Sequence, residues 1–274
     1  MSGPLSLFCS MATLYLVGAL AYFGYVATEK GPFLILGRGF WVTGFLLHSL
    51  FLMISVMRGG RLPTGDLFEA SMFFAWAVVL AADLSIFRYR IRVLGVFVLP
   101  LVFFLILVAS FHVHQKFLWP GSRASFYLGL HTTLLFLGYA AFALACLTAV
   151  MYLVLERQIK WKKIGRFYRW LPSLELLEEA NERFVALGTP LYTLGILFGL
   201  FWSRVALGYF VGKDPKVILA LLRWALYGSL FVGRHLGWLQ RRRGMSLSIV
   251  YFFWIIVTFV GVQHPMIATV LRAQ

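Results

Sequence analysis

Residues 126–155, FYLGLHTTLLFLGYAAFALACLTAVMYLVL, contain no Asp, Glu, Lys or Arg. A helix needs about 20 apolar residues to cross the hydrocarbon core of a bilayer. A strand is not an alternative, because apolar runs of this length satisfy their backbone groups inside a membrane only as helices. The segment therefore predicts a transmembrane helix, and its length predicts that the helix projects beyond the bilayer.

Seven further apolar runs flank this segment, separated by short polar breaks. The eight predicted spans are Leu5–Ala27, Phe40–Met57, Leu67–Phe87, Val93–Phe111, Phe126–Leu155, Phe184–Trp202, Val217–Trp238 and Leu247–Val262. No basic residue precedes the first run, so we expect it to be retained rather than cleaved as a signal peptide. The spans leave almost nothing for a soluble domain. We therefore predict an all-α, polytopic membrane bundle forming one domain, residues 1–274.

Composition supports a membrane environment and argues against a nucleic-acid partner. The chain is 61% hydrophobic and 13% charged, whereas a soluble domain carries about a quarter charged residues. Its mean hydropathy is +0.84. The formal net charge of +15 comes from short basic clusters between apolar runs, which is the pattern that sets membrane topology. The expected surroundings are therefore membrane lipid. The expected location is a bacterial cytoplasmic (inner) membrane.

The basic residues also predict an orientation. The first, third, fifth and seventh predicted loops carry 15 Lys and Arg residues, against 7 in the even-numbered loops. Positive residues remain on the cytoplasmic side. The odd-numbered loops are therefore predicted to be cytoplasmic, with both termini outside.

The fifth predicted loop, residues 156–183, reads as a cytoplasmic amphipathic connector. Ser173 is a candidate N-cap for the sequence LELLEEANERF, in which leucines lie on one side and glutamates on the other. The pattern predicts a short amphipathic helix on the cytoplasmic surface. Both a solvated connector and a surface that docks a partner remain open.

Histidines concentrate on the predicted outer side. That side holds His112, His114, His131 and His264, while His48 lies within the second span and His235 at the cytoplasmic end of the seventh. Imidazole ligates haem iron, and two imidazoles from different helices make a bis-histidine site. A single histidine is also compatible with simple packing.

Arg223 lies about two turns inside the seventh span, where a charge costs several kcal/mol unless it is paired or hydrated. Glu69 and Asp83 are acidic residues of the third span, and Glu69 lies close to its outer boundary, where it can reach water. The partner of Arg223 is either a carboxylate of this chain or the acid group of a ligand. Arg can bind such groups bidentately, the propionates of haem among them.

The stretch FWSRVALGYFVGKDPKVILALLRWALYGSLFVGRHLGW, residues 201–238, combines an aromatic loop with Asp-Pro-Lys and a helix of spaced aromatic residues. It resembles the CcsA/ResC-type cytochrome c assembly proteins, which handle haem at the outer face of bacterial and chloroplast membranes. The similarity spans residues 63–262. The matching positions are Pro63, Glu69, His131, Tyr139, Trp202, Gly208, Asp214, Pro215, Lys216, Ala220, Trp224, Tyr227, Arg234, Gly261 and Val262.

The resemblance implies that the chain binds haem near the outer face and presents it to apocytochrome c, together with a membrane partner subunit. His131 matches an outer haem ligand of the family, and His264 is a second candidate for the iron. The other implied haem-site residues are Trp202, Asp214, Arg223 and Trp224. We expect no independent catalytic activity, although the chain could be a subunit of a cytochrome c haem lyase system.

The sequence also departs from the family pattern. Leu207, Val211 and Lys213 replace three tryptophans of the outer loop, and Val232 replaces a histidine of the seventh helix. This divergent branch resembles HemX-type proteins, so a membrane regulator or scaffold of haem biosynthesis, acting through the fifth loop, is the alternative function. A small-solute transporter is disfavoured, because the sequence lacks an inverted repeat.

Overall fold

The computed structural model describes residues 2–60, 62–64, 66–89, 91, 94–112, 122–162, 170–210 and 214–261. Every regular element in these ranges is an α-helix. The helices are α1 (Ser2–Thr28), α2 (Gly31–Gly59), α3 (Leu67–Tyr89), α4 (Gly95–Ser110), α5 (Ser122–Lys160), α6 (Leu174–Leu207), α7 (Pro215–His235) and α8 (Arg241–Gly261). The predicted all-α fold is confirmed.

Seven of these helices are long and apolar enough to cross a membrane. The exception is α4, whose 16 residues span about 24 Å against a hydrocarbon core of about 30 Å. The protein is a multi-pass helical membrane protein. The helices correspond one to one with the eight predicted spans.

Helix ends differ from the predictions where local backbone chemistry outweighs hydropathy. Helix α2 begins at Gly31 rather than Phe40, because Lys30 is extended and Pro32 fits the first turn. Arg38 lies inside the helix and had lowered the local hydropathy. The helix ends where Gly60 adopts a left-handed conformation at φ 62°.

The amphipathic segment of the fifth loop is not a separate short helix. Ser173 caps it as predicted, since its hydroxyl accepts a hydrogen bond from the Leu176 backbone N–H at 3.3 Å. However, the helix that begins there continues without a break to Leu207, over 34 residues. No glycine or proline lies between Leu174 and Phe184 to stop it. The segment also buries Leu177, so it is part of the bundle rather than a surface helix.

The helices pack as two neighbouring groups of four. Helices α1, α2, α3 and α4 form the first group, and α5, α6, α7 and α8 form the second. Helix α3 packs against α5 and joins the groups. The joint contains an aromatic cluster of Phe73, Phe74, Phe136, Tyr139 and Phe259.

The closest helix pair is α5 with α6. A Cβ at Gly138 of α5 would lie 3.2 Å from the carbonyl oxygen of Gly188 in α6. A Cβ at Gly195 would lie 2.7 Å from a methyl carbon of Leu135. Small residues at these positions let the two backbones approach closely, as is common in membrane helix pairs. This approach brings side chains of α5 within reach of carbonyl groups of α6.

Candidate functional site

The predicted site residues that the structure describes lie toward one end of the second helix group. At this end α5 begins, α6 ends, α7 begins and α8 ends. The distribution of basic residues predicts that this is the outer end. The described members are His131, Trp202, Asp214, Arg223 and Trp224, while His264 lies outside the described residues.

His131 of α5 lies against the backbone of α6. Its Nδ1 atom is 2.7 Å from the carbonyl oxygen of Gly195. A carbonyl oxygen only accepts hydrogen bonds, so in the neutral ring Nδ1 carries the proton and Nε2 carries the lone pair. Gly199 makes the arrangement possible, because a Cβ there would lie 2.5 Å from His131 Nδ1. The side chain is half-buried.

Arg223 of α7 is a buried cation whose described hydrogen-bond partners are neutral groups. Its side chain is 3% exposed. Nε donates to the carbonyl oxygen of Leu219 at 3.1 Å and Nη1 donates to Thr258 Oγ1 of α8 at 3.2 Å. The guanidinium also lies 5.6 Å from the centre of the Tyr139 ring. Within the described parts of the chain no carboxylate forms an ion pair with it.

Tyr192 of α6 connects the helices around Arg223. Its hydroxyl donates to the carbonyl oxygen of Ala220 in α7 at 3.2 Å and lies 3.5 Å from the Tyr139 hydroxyl. The pattern of apolar runs singled out neither Tyr192 nor Thr258. No motif marks them, because their importance depends on how α6 and α8 are rotated toward α7.

Asp214, at the start of α7, and Trp202, near the end of α6, flank the site. Asp214 is buried, and its carboxylate accepts a hydrogen bond from the Lys216 backbone N–H at 2.8 Å, which caps α7. Trp202 is buried against Tyr127 and Val217. Its indole N–H has no hydrogen-bond partner among the residues that the structure describes.

Trp224 points elsewhere. Its ring is 43% exposed, and its Nε1 donates to Thr193 Oγ1 of α6 at 2.9 Å. The residue therefore lies on the exposed surface of the bundle, between α6 and α7. Its neighbour Arg223 faces the interior of the bundle. The structure does not bring these two predicted site residues together.

The remaining described histidines lie apart from this group. His48 is fully buried in α2, with Nδ1 3.4 Å from the Tyr15 hydroxyl. His112 follows α4, and its Nδ1 contacts the Val108 carbonyl oxygen at 3.0 Å. His235 is exposed at the opposite end of α7 and stacks on Phe231. His114 lies outside the described residues.

The chemistry of these groups fits haem. An imidazole whose Nδ1–H is held by a carbonyl presents Nε2 to a metal. A buried guanidinium that has no carboxylate partner among the described residues suits a propionate. The described residues contain no cluster of three or more His, Cys, Asp or Glu that could hold a metal ion. Haem iron needs only one or two side-chain ligands, so the two observations are compatible.

Comparison with known proteins identifies the family. A sequence model described as "Cytochrome C assembly protein" matches residues 64–266, which is most of the chain. The chain belongs to the cytochrome c assembly protein family. This membership supports a role in cytochrome c biogenesis.

Individual relatives of this cytochrome c assembly protein extend the match. Protein HemX of Brevibacillus brevis is 28% identical over 90% of this chain and 92% of its own length. The cytochrome c biogenesis protein CcsA of Guillardia theta is 22% identical, covering 90% of this chain and 89% of that protein. CcsA of Synechococcus sp. (strain CC9902) is 27% identical over 80% of each chain. The predicted resemblance to both groups is confirmed.

The opposite end of the cytochrome c assembly protein holds the acidic part of α6. Glu182 pairs with Arg234 of α7 at 3.4 Å, and Glu178 accepts the backbone N–H of Arg241 at 2.6 Å. Glu179 pairs within α6 with Arg183 at 2.6 Å. Much of the acidic face that sequence reasoning offered to a partner is therefore used to hold the α7–α8 turn.

Proposed function

We propose that this protein handles haem in cytochrome c assembly. It binds haem near the outer membrane face and presents it to apocytochrome c, together with a membrane partner subunit. The observation that carries the proposal is the hydrogen bond between His131 Nδ1 and the Gly195 carbonyl oxygen. That bond selects the tautomer in which Nε2 can ligate iron.

Each predicted site residue has a part in this proposal. His131 Nε2 would bind the iron, with His264 as the second candidate ligand. Arg223 would bind a propionate, which supplies the acidic partner that its own chain does not provide in the described ranges. Trp202 and Asp214 would hold the start of α7 against the ligand. Trp224 would contact the ligand only from the exposed surface between α6 and α7.

Haem is cargo in this scheme rather than a resident catalyst. The chain has no Cys-x-x-Cys-His sequence, so it is not itself a c-type cytochrome. Its own residues bind, orient and shield the ligand. Thioether attachment to apocytochrome would rest with the assembled lyase system, and we propose no independent catalytic activity for this chain.

The test is a visible spectrum of the purified protein. His131→Ala should remove most haem absorbance while leaving membrane insertion intact, because one imidazole contributes little to the fold. His235→Ala is the matched control, since His235 is exposed at the opposite end of α7. Acidification should also weaken binding, because only neutral imidazole ligates iron.

Two results would contradict the proposal. One is a spectrum that is insensitive to His131→Ala and lost in His235→Ala. The other is a wild-type protein without haem absorbance from cells whose c-type cytochromes are normal after deletion of the gene.

The HemX relative supports a second candidate, a membrane regulator or scaffold of haem biosynthesis. Its surface would be the exposed glutamates of α6, Glu175 and Glu179. Glu178 and Glu182 are bound to α7 and to the α7–α8 turn, whereas Glu179 pairs only with Arg183 of its own helix. Glu175→Gln with Glu179→Gln should then change the abundance of a haem-biosynthesis enzyme and leave c-type cytochromes intact. Unchanged abundance would count against this candidate.

A further inference from the structure

A basic patch lies where α5 ends beside the start of α8, at the end of the bundle opposite His131. It consists of Arg157, Lys160, Trp161, Lys162 and Arg242. Helices α5 and α8 are packed together here, so the side chains form one surface. All five residues are exposed. None of them takes part in the proposed handling of haem.

Positive charge is in excess on this patch. Glu156 lies between two of its cations, 3.1 Å from Lys160 Nζ and 3.7 Å from Arg242 Nε. Among the described residues, no carboxylate pairs with Arg157 or Lys162. Four cations thus share one carboxylate.

The neighbouring α6–α7 side of the same end has more carboxylate partners. Arg183 has Glu179 as its partner, and Arg234 has Glu182. The backbone N–H of Arg241 donates a hydrogen bond to the Glu178 carboxylate. Two cations of the α6–α7 side thus have a carboxylate partner each, whereas the four cations of the patch share one.

Trp161 places this charge at the depth of lipid headgroups. Its ring is 58% exposed and the Arg157 guanidinium lies 4.1 Å from its centre. Tryptophan favours the membrane–water interface, and Ile159 beside it is also exposed. The patch thus combines an apolar anchor with cations at the end of a membrane-spanning helix.

We propose that the α5–α8 basic patch binds the phosphodiester headgroup of an anionic phospholipid. Lys160 and Arg242 form its centre, where the lipid phosphate shares these cations with Glu156. Arg157 and Lys162 contact the headgroup from the sides, and the acyl chains run along the apolar surface of α5. Clusters of Lys and Arg next to a membrane helix attract anionic lipids in this way.

The experiment uses the full-length protein in phosphatidylcholine bilayers. Electron paramagnetic resonance measures the association of spin-labelled phosphatidylglycerol and of spin-labelled phosphatidylcholine with identical chains. Wild type should prefer phosphatidylglycerol. Lys160→Gln with Arg242→Gln should lower that preference roughly fivefold or more, because each basic residue near the surface contributes about that factor.

Two substitutions of glutamate, one inside the patch and one outside it, distinguish a local site from a general charge effect. Glu156→Gln should strengthen phosphatidylglycerol binding, because it frees Lys160 and Arg242. Glu179→Gln changes the net charge equally and frees Arg183, but should leave the preference unchanged because Arg183 is outside the patch. Equal effects of the two variants would replace the site with a general charge effect and overturn the proposal.

Inorganic phosphate separates a lipid from a free anion. It should not displace spin-labelled phosphatidylglycerol at equal concentration, because it lacks the acyl chains that lie against α5. Full displacement by phosphate would overturn the assignment to lipid, as would an equal association of both spin-labelled lipids with wild type.

Discussion

His131 owes its orientation to two glycines of the facing helix. Gly195 supplies the carbonyl oxygen that accepts from Nδ1, and Gly199 leaves the space in which the ring lies. A histidine in an apolar helix usually packs without consequence. Here the neighbouring backbone fixes both the ring position and the tautomer. A substitution in α6 can therefore test the role of His131 while His131 itself is kept.

Gly199→Ala should therefore weaken haem binding although His131 remains. The new Cβ would lie 2.5 Å from Nδ1 and 2.6 Å from Cε1, so the ring must move away from the Gly195 carbonyl. We expect a loss of at least half of the haem absorbance in the purified protein. Gly228→Ala is the matched control, because a Cβ at Gly228 meets no atom within 4 Å. Equal absorbance in wild type and Gly199→Ala would show that ring position does not matter.

Arg223 offers a test of the propionate contact. Arg223→Gln removes the charge, and we expect the haem dissociation constant to rise roughly 10- to 100-fold, the range for losing a hydrogen bond to a charged group. Thr258→Val should have a smaller effect, because Thr258 only holds Nη1 at 3.2 Å. Titration of the purified variants with haem measures both. An affinity unchanged in Arg223→Gln would remove Arg223 from the site.

Sequence reasoning located His131 and Arg223 because a polar residue inside an apolar run is visible without a structure. It could not locate Tyr192, Thr258 or Gly199, whose roles depend on which faces of α6 and α8 turn toward their neighbours. The same limit explains Trp224. Trp224 follows Arg223 by one residue and is therefore rotated from it by about 100° around the helix. This rotation places Trp224 on the exposed surface between α6 and α7.

Among the elements, α6 differs most from its prediction. Hydropathy placed the span at Phe184–Trp202, whereas the helix runs from Leu174 to Leu207. Polar contacts, which hydropathy does not measure, stabilise its first turns. They are the Ser173 cap, the hydrogen bond from the buried Asn181 to the Ala145 carbonyl oxygen, and the ion pair of Glu182 with Arg234. The sequence predicted where each helix exists and that Ser173 is a cap, but it did not predict where α2 begins or that the capped segment continues into the sixth span.

The Ser173 cap should be measurable in the stability of the protein. Ser173→Ala leaves the Leu176 N–H without its acceptor and should lower the free energy of unfolding by about 1 kcal/mol. Thermal unfolding in detergent, followed by circular dichroism, measures the change. Ser229→Ala is a suitable control, since that exposed hydroxyl bonds only to the Leu226 carbonyl oxygen in its own helix. A melting temperature equal to that of the control would show that the start of α6 does not depend on the cap.

The whole molecule joins two four-helix groups through the aromatic cluster between α3, α5 and α8. Sequence predicted eight helices and a membrane fold, because hydropathy and length are properties of single segments. It could not predict which helices become neighbours. That arrangement depends on side-chain contacts such as Phe74 with Phe136 and Phe259, which lie far apart along the chain.

The orientation of the whole bundle in the membrane decides what His131 can do. Basic residues concentrate in the odd-numbered predicted loops, which predicts that those loops are cytoplasmic. A reporter that is active only outside the cytoplasm should therefore be active when fused after Arg123 or Lys213, and silent when fused after Lys163 or Arg243. The measurement is reporter activity at equal expression of each fusion. The predicted fifth loop, residues 156–183, carries seven basic residues, so the fusion after Lys163 tests the strongest signal. The inverse pattern would place His131 and Arg223 toward the cytoplasm, where they could not present haem to an apocytochrome outside.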